Sequence, residues 1–353
     1  MNDNETSKLT QELIKEIVKN PNNSDNYVKL ASIYLYNKEY DLAINTYESI
    51  LAFEPANFIA LTNLGSIFFC KGDYVTAINY YLRATELGVE NLNIYFNLGN
   101  AFAEIGDFKQ SMANYIKALN MDKNDFKIYS AIAMLYQDQE NYDEALRYYE
   151  KALRLNNNLP ENYNNIAFVL MKIGRADLAA TYFVKALSFD KTNIKYVLSC
   201  ANAFSAAAQY DIADKYFEKA ISIDEKSYQV YLCYAISMYE QGNIDKAIEL
   251  YEYAISINPE ITNAYILLGN LYFSEQKYEL AVELYKKVIE LEPADSNVFT
   301  LLGNTYVMLK DLRSAISYYK QAIDIDVNND ELKLIYIELI NEFIKHKAET
   351  EEE

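Results

Sequence analysis

Apolar and small residues recur along the chain in two helical sets that alternate with a period of 34 residues. One set occupies repeat positions 4, 7, 8 and 11, and the other occupies positions 20, 24, 27 and 28, which is the spacing of one helix face. No insertion or deletion interrupts the series. With Ser24 as position 1, it divides into nine repeats: 24–57, 58–91, 92–125, 126–159, 160–193, 194–227, 228–261, 262–295 and 296–329.

Three columns of the repeat are nearly invariant in chemistry. Position 8 is always Gly or Ala, position 20 is Ala in every repeat but one, and position 24 is always Tyr or Phe. Small residues allow two helices to approach closely, and an aromatic ring fills the space beside them. A larger residue at such a contact would cost about 1–3 kcal/mol through overpacking. The columns therefore predict that each repeat is a pair of antiparallel helices.

Short turns and terminal segments complete the predicted architecture. Gly-Asp or a similar pair separates the two sets of apolar positions, as at Gly72 and Gly106, where glycine can end a helix in the left-handed conformation. Because stacked repeats need capped ends, we assign capping helices to residues 1–23 and 330–347. In the second cap, one helical face is lined by Leu332, Tyr336, Leu339, Ile340 and Phe343. The acidic residues 348–353 are predicted to be disordered.

The repeat resembles the tetratricopeptide repeat (TPR) in its length and in these columns, over residues 24–329. The tryptophan that is typical of position 4 in this family is mostly tyrosine here. The resemblance implies an all-α fold, an α-solenoid that coils as a right-handed superhelix. It also implies that the first helix of each repeat lines a concave face through positions 2, 5, 6, 9, 12 and 13.

The overall composition narrows the class of partner. The formal net charge is −19, which is poorly suited to nucleic acid or to an anionic membrane surface. No apolar run is long enough to span a membrane, and three scattered cysteines form neither a disulfide framework nor a metal-binding motif. We therefore expect a cytoplasmic protein with a protein or peptide partner, no nucleic acid and no membrane.

No residue pattern indicates catalysis. The single histidine, His346, lies in the C-terminal cap beside a charged tail, and phosphate-binding glycine loops are absent. We assign no catalytic residue, no metal and no cofactor, and we predict that the chain is not an enzyme.

Asparagines on the predicted concave face are the first candidate binding residues. An asparagine amide both donates and accepts hydrogen bonds, so it can contact the backbone of an extended peptide of any sequence. Position 6 resembles the asparagine ladder in the helical region of O-linked N-acetylglucosamine transferases, but the ladder is interrupted by Ala131. The alternative is that the asparagines stabilise neighbouring helices, which we favour for position 9. The candidates are Asn63, Asn97 and Asn165 at position 6, and Asn100, Asn202, Asn270 and Asn304 at position 9.

The same concave columns become apolar towards the C-terminus. They could form a groove for an apolar or amphipathic segment, or be partly buried by tight coiling of the stack. The candidate residues are Leu232, Ile236, Tyr239, Ile266, Phe273 and Met308.

The hypothesis from sequence is a non-enzymatic scaffold whose concave groove binds a peptide or helix of a partner. Two alternatives remain open. One is self-assembly, including a homodimer formed through Leu334, Ile337 and Ile344 on the C-terminal helix. The other is an accessory or targeting module of a glycosyltransferase-type enzyme.

Overall fold

Every regular element of the described chain is an α-helix. The structure is a computed structural model that describes residues 3–351, with side chains described for residues 6–345. Twenty helices, α1 to α20, follow one another in this range, and no strand occurs among residues 3–351. The prediction of an all-α solenoid built from helical hairpins is confirmed.

Each 34-residue repeat contains one helix of 13 residues followed by one of 13 or 14. The first helices begin at the residues that open the repeats in the sequence. They are α2 (Ser24–Tyr36), α4 (Phe58–Cys70), α6 (Leu92–Glu104), α8 (Phe126–Asp138), α10 (Pro160–Lys172), α12 (Ile194–Ala206), α14 (Tyr228–Glu240), α16 (Thr262–Ser274) and α18 (Ser296–Met308). The second helices are α3 (Tyr40–Phe53), α5 (Tyr74–Glu86), α7 (Phe108–Met121), α9 (Tyr142–Leu155), α11 (Ala176–Phe189), α13 (Tyr210–Ile223), α15 (Ile244–Ile257), α17 (Tyr278–Leu291) and α19 (Leu312–Ile325).

A helix precedes the first repeat and another follows the last. Helix α1 (Asp3–Lys19) packs on α2 through the buried Leu13. Helix α20 (Asp330–Glu351) packs on α19 through Leu332 and Leu339, while Leu334, Ile337 and Ile344 are exposed. Helix α20 also runs through residues 348–351, which the sequence assigned to a disordered tail.

The helices fall into two compact units, which divide between Ile173 and Gly174. The N-terminal unit contains α1 to α10, and the C-terminal unit contains α11 to α20. Within each unit every helix packs against the next one in the chain. Some first helices of adjacent repeats also contact each other, as α4 contacts α6, α6 contacts α8 and α12 contacts α14.

The contact between repeat positions 8 and 24 sets how closely the two helices of a repeat approach. The ring of Tyr81 lies against the backbone of Gly65, so that a Cβ added to Gly65 would stand 2.6 Å from Tyr81 Cε1. The same overlap occurs between Gly269 and Tyr285, and between Gly303 and Tyr319. Real Cβ atoms do not approach a ring carbon so closely. Glycine is therefore required wherever the ring takes this position.

Position 20 also depends on close approach. It is alanine in most repeats and fully buried there. The exception, Ser111, is buried as well, and its hydroxyl donates a 2.8 Å hydrogen bond to the carbonyl oxygen of Gly99. Serine is tolerated because its one polar atom finds a partner on the first helix of the same repeat.

The turn between the two helices uses the left-handed conformation at repeat position 15. Four repeats place glycine there, with φ between 76° and 80°. The other five place Lys38, Glu140, Ala208, Gln276 or Lys310 at φ between 55° and 61°. The turn therefore has the same backbone geometry in the five repeats that have a residue other than glycine at position 15.

We predict that Gly65→Ala destabilises the protein, although alanine is the better helix former by about 1 kcal/mol. The new methyl group must displace the Tyr81 ring from a packed core, which should lower the free energy of unfolding by about 1–3 kcal/mol. Urea unfolding followed by circular dichroism measures the change. Tyr81→Phe is the control, since it removes only the hydroxyl. A Gly65→Ala protein as stable as the wild type would contradict the packing described here.

Candidate functional site

Three adjoining clefts lie along the first helices of the N-terminal unit. Cleft 1 has a volume of about 210 Å³ and is lined by Ser66, Phe69, Cys70, Tyr81, Asn97 and Asn100. Cleft 2 has about 360 Å³ and is lined by Phe69, Asn100, Ala103, Glu104, Tyr115, Ala131, Met134, Leu135 and Asp138. Cleft 3 has about 300 Å³ and is lined by Gln137, Asp138, Glu140, Tyr142, Phe168, Val169 and Lys172.

Shared side chains make these clefts continuous. Phe69 and Asn100 border both cleft 1 and cleft 2, and Asp138 borders both cleft 2 and cleft 3. Together the clefts reach from the second repeat to the fifth, and we call this surface the N-terminal groove. Its volume and mixed lining are of the kind in which proteins bind ligands.

The position 6 asparagines are half-buried, and each has a hydrogen-bond partner inside the protein. Asn63 Nδ2 donates 2.9 Å to the carbonyl oxygen of Ile59, one turn earlier in α4. Asn97 is hydrogen-bonded to Tyr81, and Asn165 to Tyr149, so each connects its helix to the preceding repeat. Of these three asparagines, Asn97 is the one that lines a described cleft.

Three of the position 9 asparagines accept a hydrogen bond from a tyrosine. The hydroxyl of Tyr115 donates 2.7 Å to Asn100 Oδ1, that of Tyr285 donates 2.7 Å to Asn270 Oδ1, and that of Tyr319 donates 2.6 Å to Asn304 Oδ1. Each bond joins the two helices of one repeat. This arrangement is the stabilising role that we favoured for position 9, and it uses the amide oxygen rather than the NH₂ group.

Asn202 differs from the other position 9 asparagines. Its repeat has Phe217 at position 24, which carries no hydroxyl. Asn202 is exposed, and its Nδ2 lies 3.8 Å from Cys233 Sγ. Because no tyrosine holds its amide, the cross-helix bond of the other repeats is missing here. The tyrosine-to-phenylalanine change at position 24 is the sequence signal for this difference.

The apolar candidates of the C-terminal unit divide into two groups. Leu232 and Ile236 pack partly against one core cluster, and Ile266 and Phe273 pack partly against another. Tyr239 and Met308 are more open, with exposed fractions of 43% and 49%. Four of the six predicted apolar residues therefore pack partly against the core, and the other two are accessible.

Two carboxylates that line cleft 2 were not among the candidates predicted from the sequence. Glu104 and Asp138 both occupy position 13 in consecutive repeats, which was the available signal. Burial raises the pKa of Asp138 above its ordinary value, and the negative charge of Glu104 raises it further. Burial is also the main reason that the pKa of Tyr115 rises to about 12.

Glu104 lines cleft 2 and lies beside Tyr74. Its negative charge and its hydrogen bond with the hydroxyl raise the pKa of Tyr74. The ring of Tyr74 stands edge-on to that of Phe69, with centroids 5.3 Å apart. The Glu104 carboxylate therefore lies beside an aromatic pair at the wall of the cleft.

The described residues contain neither a metal-binding cluster nor a membrane-spanning helix. No group of three or more histidine, cysteine or acidic side chains within the described part of the chain could hold a metal ion. None of the helices, as far as they are described, is both long and apolar enough to cross a bilayer. The side chain of His346 lies outside the described residues.

The helical hairpins and their repeating contacts define a helical-repeat protein of the solenoid class. Family models for the TPR repeat match residues 65–106, 237–274 and 269–310, and models for the tetratricopeptide repeat match residues 24–57, 92–125, 125–191, 200–227 and 296–329. The chain therefore belongs to the tetratricopeptide repeat family. No curated protein matches the sequence.

Solved structures align with parts of this chain, and the first of those described below shares its fold. A tetratricopeptide repeat protein from Parabacteroides merdae ATCC 43184 aligns over 70% of this chain and 98% of its own, with 20% identity and a TM-score of 0.56. YrrB, described as a TPR protein with an unusual peptide-binding site, aligns over 52% of this chain and 95% of its own, with 23% identity and a TM-score of 0.46. MamA aligns over 47% of this chain and 97% of its own, with 22% identity and a TM-score of 0.41.

We predict that Asn304→Ala and Asn202→Ala differ in their effect on stability. Asn304→Ala removes the acceptor of the Tyr319 hydroxyl and should lower the free energy of unfolding by about 1 kcal/mol. Asn202→Ala removes no bond to a tyrosine and should change it by less than about 0.5 kcal/mol. Urea unfolding of the two variants side by side measures this difference. Equal losses would mean that the tyrosine–asparagine bonds contribute nothing measurable.

Proposed function

We propose that this chain is a non-enzymatic scaffold that holds a segment of a partner protein on the inner surfaces of its repeats. The observation that supports this most is the continuity of the N-terminal groove. Its three clefts adjoin one another along the first helices, and they combine apolar side chains such as Phe69 and Met134 with polar ones such as Asn97. Repeats of this family present such surfaces to extended or helical partners.

In this proposal, the asparagines bind the backbone of the partner segment and the clefts bind its side chains. Asn63, Asn97 and Asn165 contact the main chain of the bound segment through the amide groups that their internal bonds leave available. Three such hydrogen bonds contribute only about 3 kcal/mol, whereas micromolar affinity needs about 8 kcal/mol. The clefts must supply the remainder by taking up side chains.

The C-terminal unit supplies a second, more apolar surface in this proposal. Its accessible residues are Tyr239 and Met308, next to the partly buried side chains of Leu232, Ile236, Ile266 and Phe273. The amides of Asn202, Asn270 and Asn304 border the same columns. This surface suits an apolar or amphipathic segment.

We predict that Met134→Arg blocks binding of a partner segment in the N-terminal groove. Met134 lines cleft 2 and is 51% exposed, so a longer side chain there fills the cleft without disturbing the core. Peptides of roughly 12 residues, about 40 Å when extended, are selected from a random display library on the full chain. Fluorescence anisotropy should then give at least about tenfold weaker binding to the variant, or about 1.4 kcal/mol.

Ile116→Arg is the matched control for this experiment. Ile116 lies on α7, is 49% exposed and lines none of the three clefts, and its substitution changes the charge equally. Binding to this variant should remain within about twofold of the wild type. The proposal fails if the library yields no binding peptide, or if both variants weaken binding equally.

A second candidate function is self-association through α20. Leu334, Ile337 and Ile344 are exposed by 64%, 53% and 59%, and they lie on one side of the helix. An antiparallel pair of α20 helices would place the acidic start of one copy, Asp330 and Glu331, towards Lys345 of the other. This arrangement supports a homodimer as the alternative to a monomeric scaffold.

We predict for this alternative that the mass measured by light scattering doubles as the protein concentration rises. The reason is that burial of the three apolar side chains would favour the pair. Ile337→Glu should keep the chain monomeric over the whole dilution series, because it places a charge at the centre of the contact. A wild-type chain that stays monomeric at every concentration removes the alternative.

A further inference from the structure

Cleft 2 combines apolar walls with two acidic groups at its border. Phe69, Ala103, Met134 and Leu135 line the walls, while Glu104 from α6 and Asp138 from α8 stand at successive first helices. Lys172 is the one cationic residue among the described residues that line the three clefts, and it lines cleft 3 rather than cleft 2. The charge of cleft 2 is therefore entirely negative.

Neither carboxylate is paired with a cationic side chain among residues 6–345. Among the described residues, the ion pairs of the N-terminal unit involve Glu16, Asp41, Glu144 and Glu150, and neither Glu104 nor Asp138 takes part in one. Besides burial, the negative charge of Glu104 raises the pKa of Asp138. Besides burial, the charges of both carboxylates raise the pKa of Tyr115. Like charges held at one cleft repel each other, and a bound cation would relieve this repulsion.

The lining of cleft 2 favours the side chain of lysine or arginine over a metal ion. A calcium ion takes six to eight oxygen ligands and magnesium retains a shell of water. In cleft 2, five of the nine lining residues are apolar, and the side chains with oxygen atoms are those of Asn100, Glu104, Tyr115 and Asp138. Lysine and arginine side chains have an apolar stem that ends in a charged head. Such a side chain matches both the apolar walls and the acidic border, whereas a phosphate or an acidic peptide would be repelled.

The charge of the whole chain favours the same partner. A formal net charge of −19 attracts a basic segment over a distance and accelerates encounter with it. The groove that extends on either side of cleft 2 has room for the residues that flank the basic one.

We propose that cleft 2 binds a lysine or arginine side chain of an extended partner segment, whose stem packs on Phe69 and Met134 and whose charged head pairs with Glu104 and Asp138. This inference rests on the proposed function, because it names the kind of segment that the N-terminal groove binds. It adds a specificity that neither the fold nor the asparagines supply.

The test uses the full chain and the peptides selected from the random library. Peptides that bind the wild type should be enriched in lysine or arginine, and those selected on Glu104→Gln/Asp138→Asn should lack this enrichment. For one selected peptide, the double variant should weaken binding by about 10- to 100-fold, the range expected for lost hydrogen bonds to charged groups. Fluorescence anisotropy in roughly 0.05 M salt measures the affinity, because higher salt screens the pair.

The control variant carries the same change of charge elsewhere. Glu86→Gln/Asp143→Asn alters two exposed carboxylates on the second helices α5 and α9, outside all three clefts. Its affinity should stay within about twofold of the wild type. Replacing the basic residue of the peptide by norleucine should weaken binding to the wild type but not weaken binding to the double variant further. Such non-additivity would show that the basic residue of the peptide interacts directly with the two carboxylates.

The outcomes separate this inference from the proposed function. Selected peptides that lose affinity on Met134→Arg but carry no basic residue would overturn the basic-residue specificity and leave the scaffold proposal intact. Equal weakening by the cleft and control variants would also overturn it, because general charge would then explain the effect. A library that yields no binding peptide contradicts both proposals.

Discussion

A close contact between an aromatic ring on the second helix and a small residue on the first holds together the hairpins that lie within either compact unit. Rings at position 24, such as Tyr47, Tyr149 and Phe217, are buried almost completely, and so are the small residues at positions 8 and 20. Close packing of this kind leaves no room for an added methyl group at Gly65, Gly269 or Gly303. The distance between the two helices of a hairpin, and hence the surface that the first helices present, follows from this contact.

The same ring explains part of the polar pattern. Where position 8 is glycine, the tyrosine hydroxyl reaches the residue at position 9, which is Ser66 in the second repeat and Asn100, Asn270 or Asn304 in others. Where position 8 is Ala133, the hydroxyl of Tyr149 donates instead to Gln137. The recurring Gly-Asn and Gly-Ser pairs in the sequence are therefore explained by packing, and they do not by themselves indicate a ligand.

The sequence predicts the fold well because its information is periodic. A 34-residue spacing, small residues at two columns and an aromatic at a third were sufficient to place the hairpins, and the helices begin where the repeats begin. The lining of the N-terminal groove could not be predicted as completely from the sequence. Whether Asn202 is held by a neighbour depends on one hydroxyl that Phe217 lacks, and the pairing of Glu104 with Asp138 in one cleft joins residues of different repeats. Contacts of this kind join residues at different repeat positions or in different repeats, and they can be identified only from the folded structure.

Assigned resonances of the methionine methyl groups can show whether the N-terminal groove is the binding surface. The chain has seven methionines, and Met134 lines cleft 2 while Met121 lies at the end of α7, away from the clefts. If a binding peptide occupies cleft 2, its addition should shift the methyl resonance of Met134 and leave that of Met121 unchanged. A shift at Met121 with none at Met134 would contradict it.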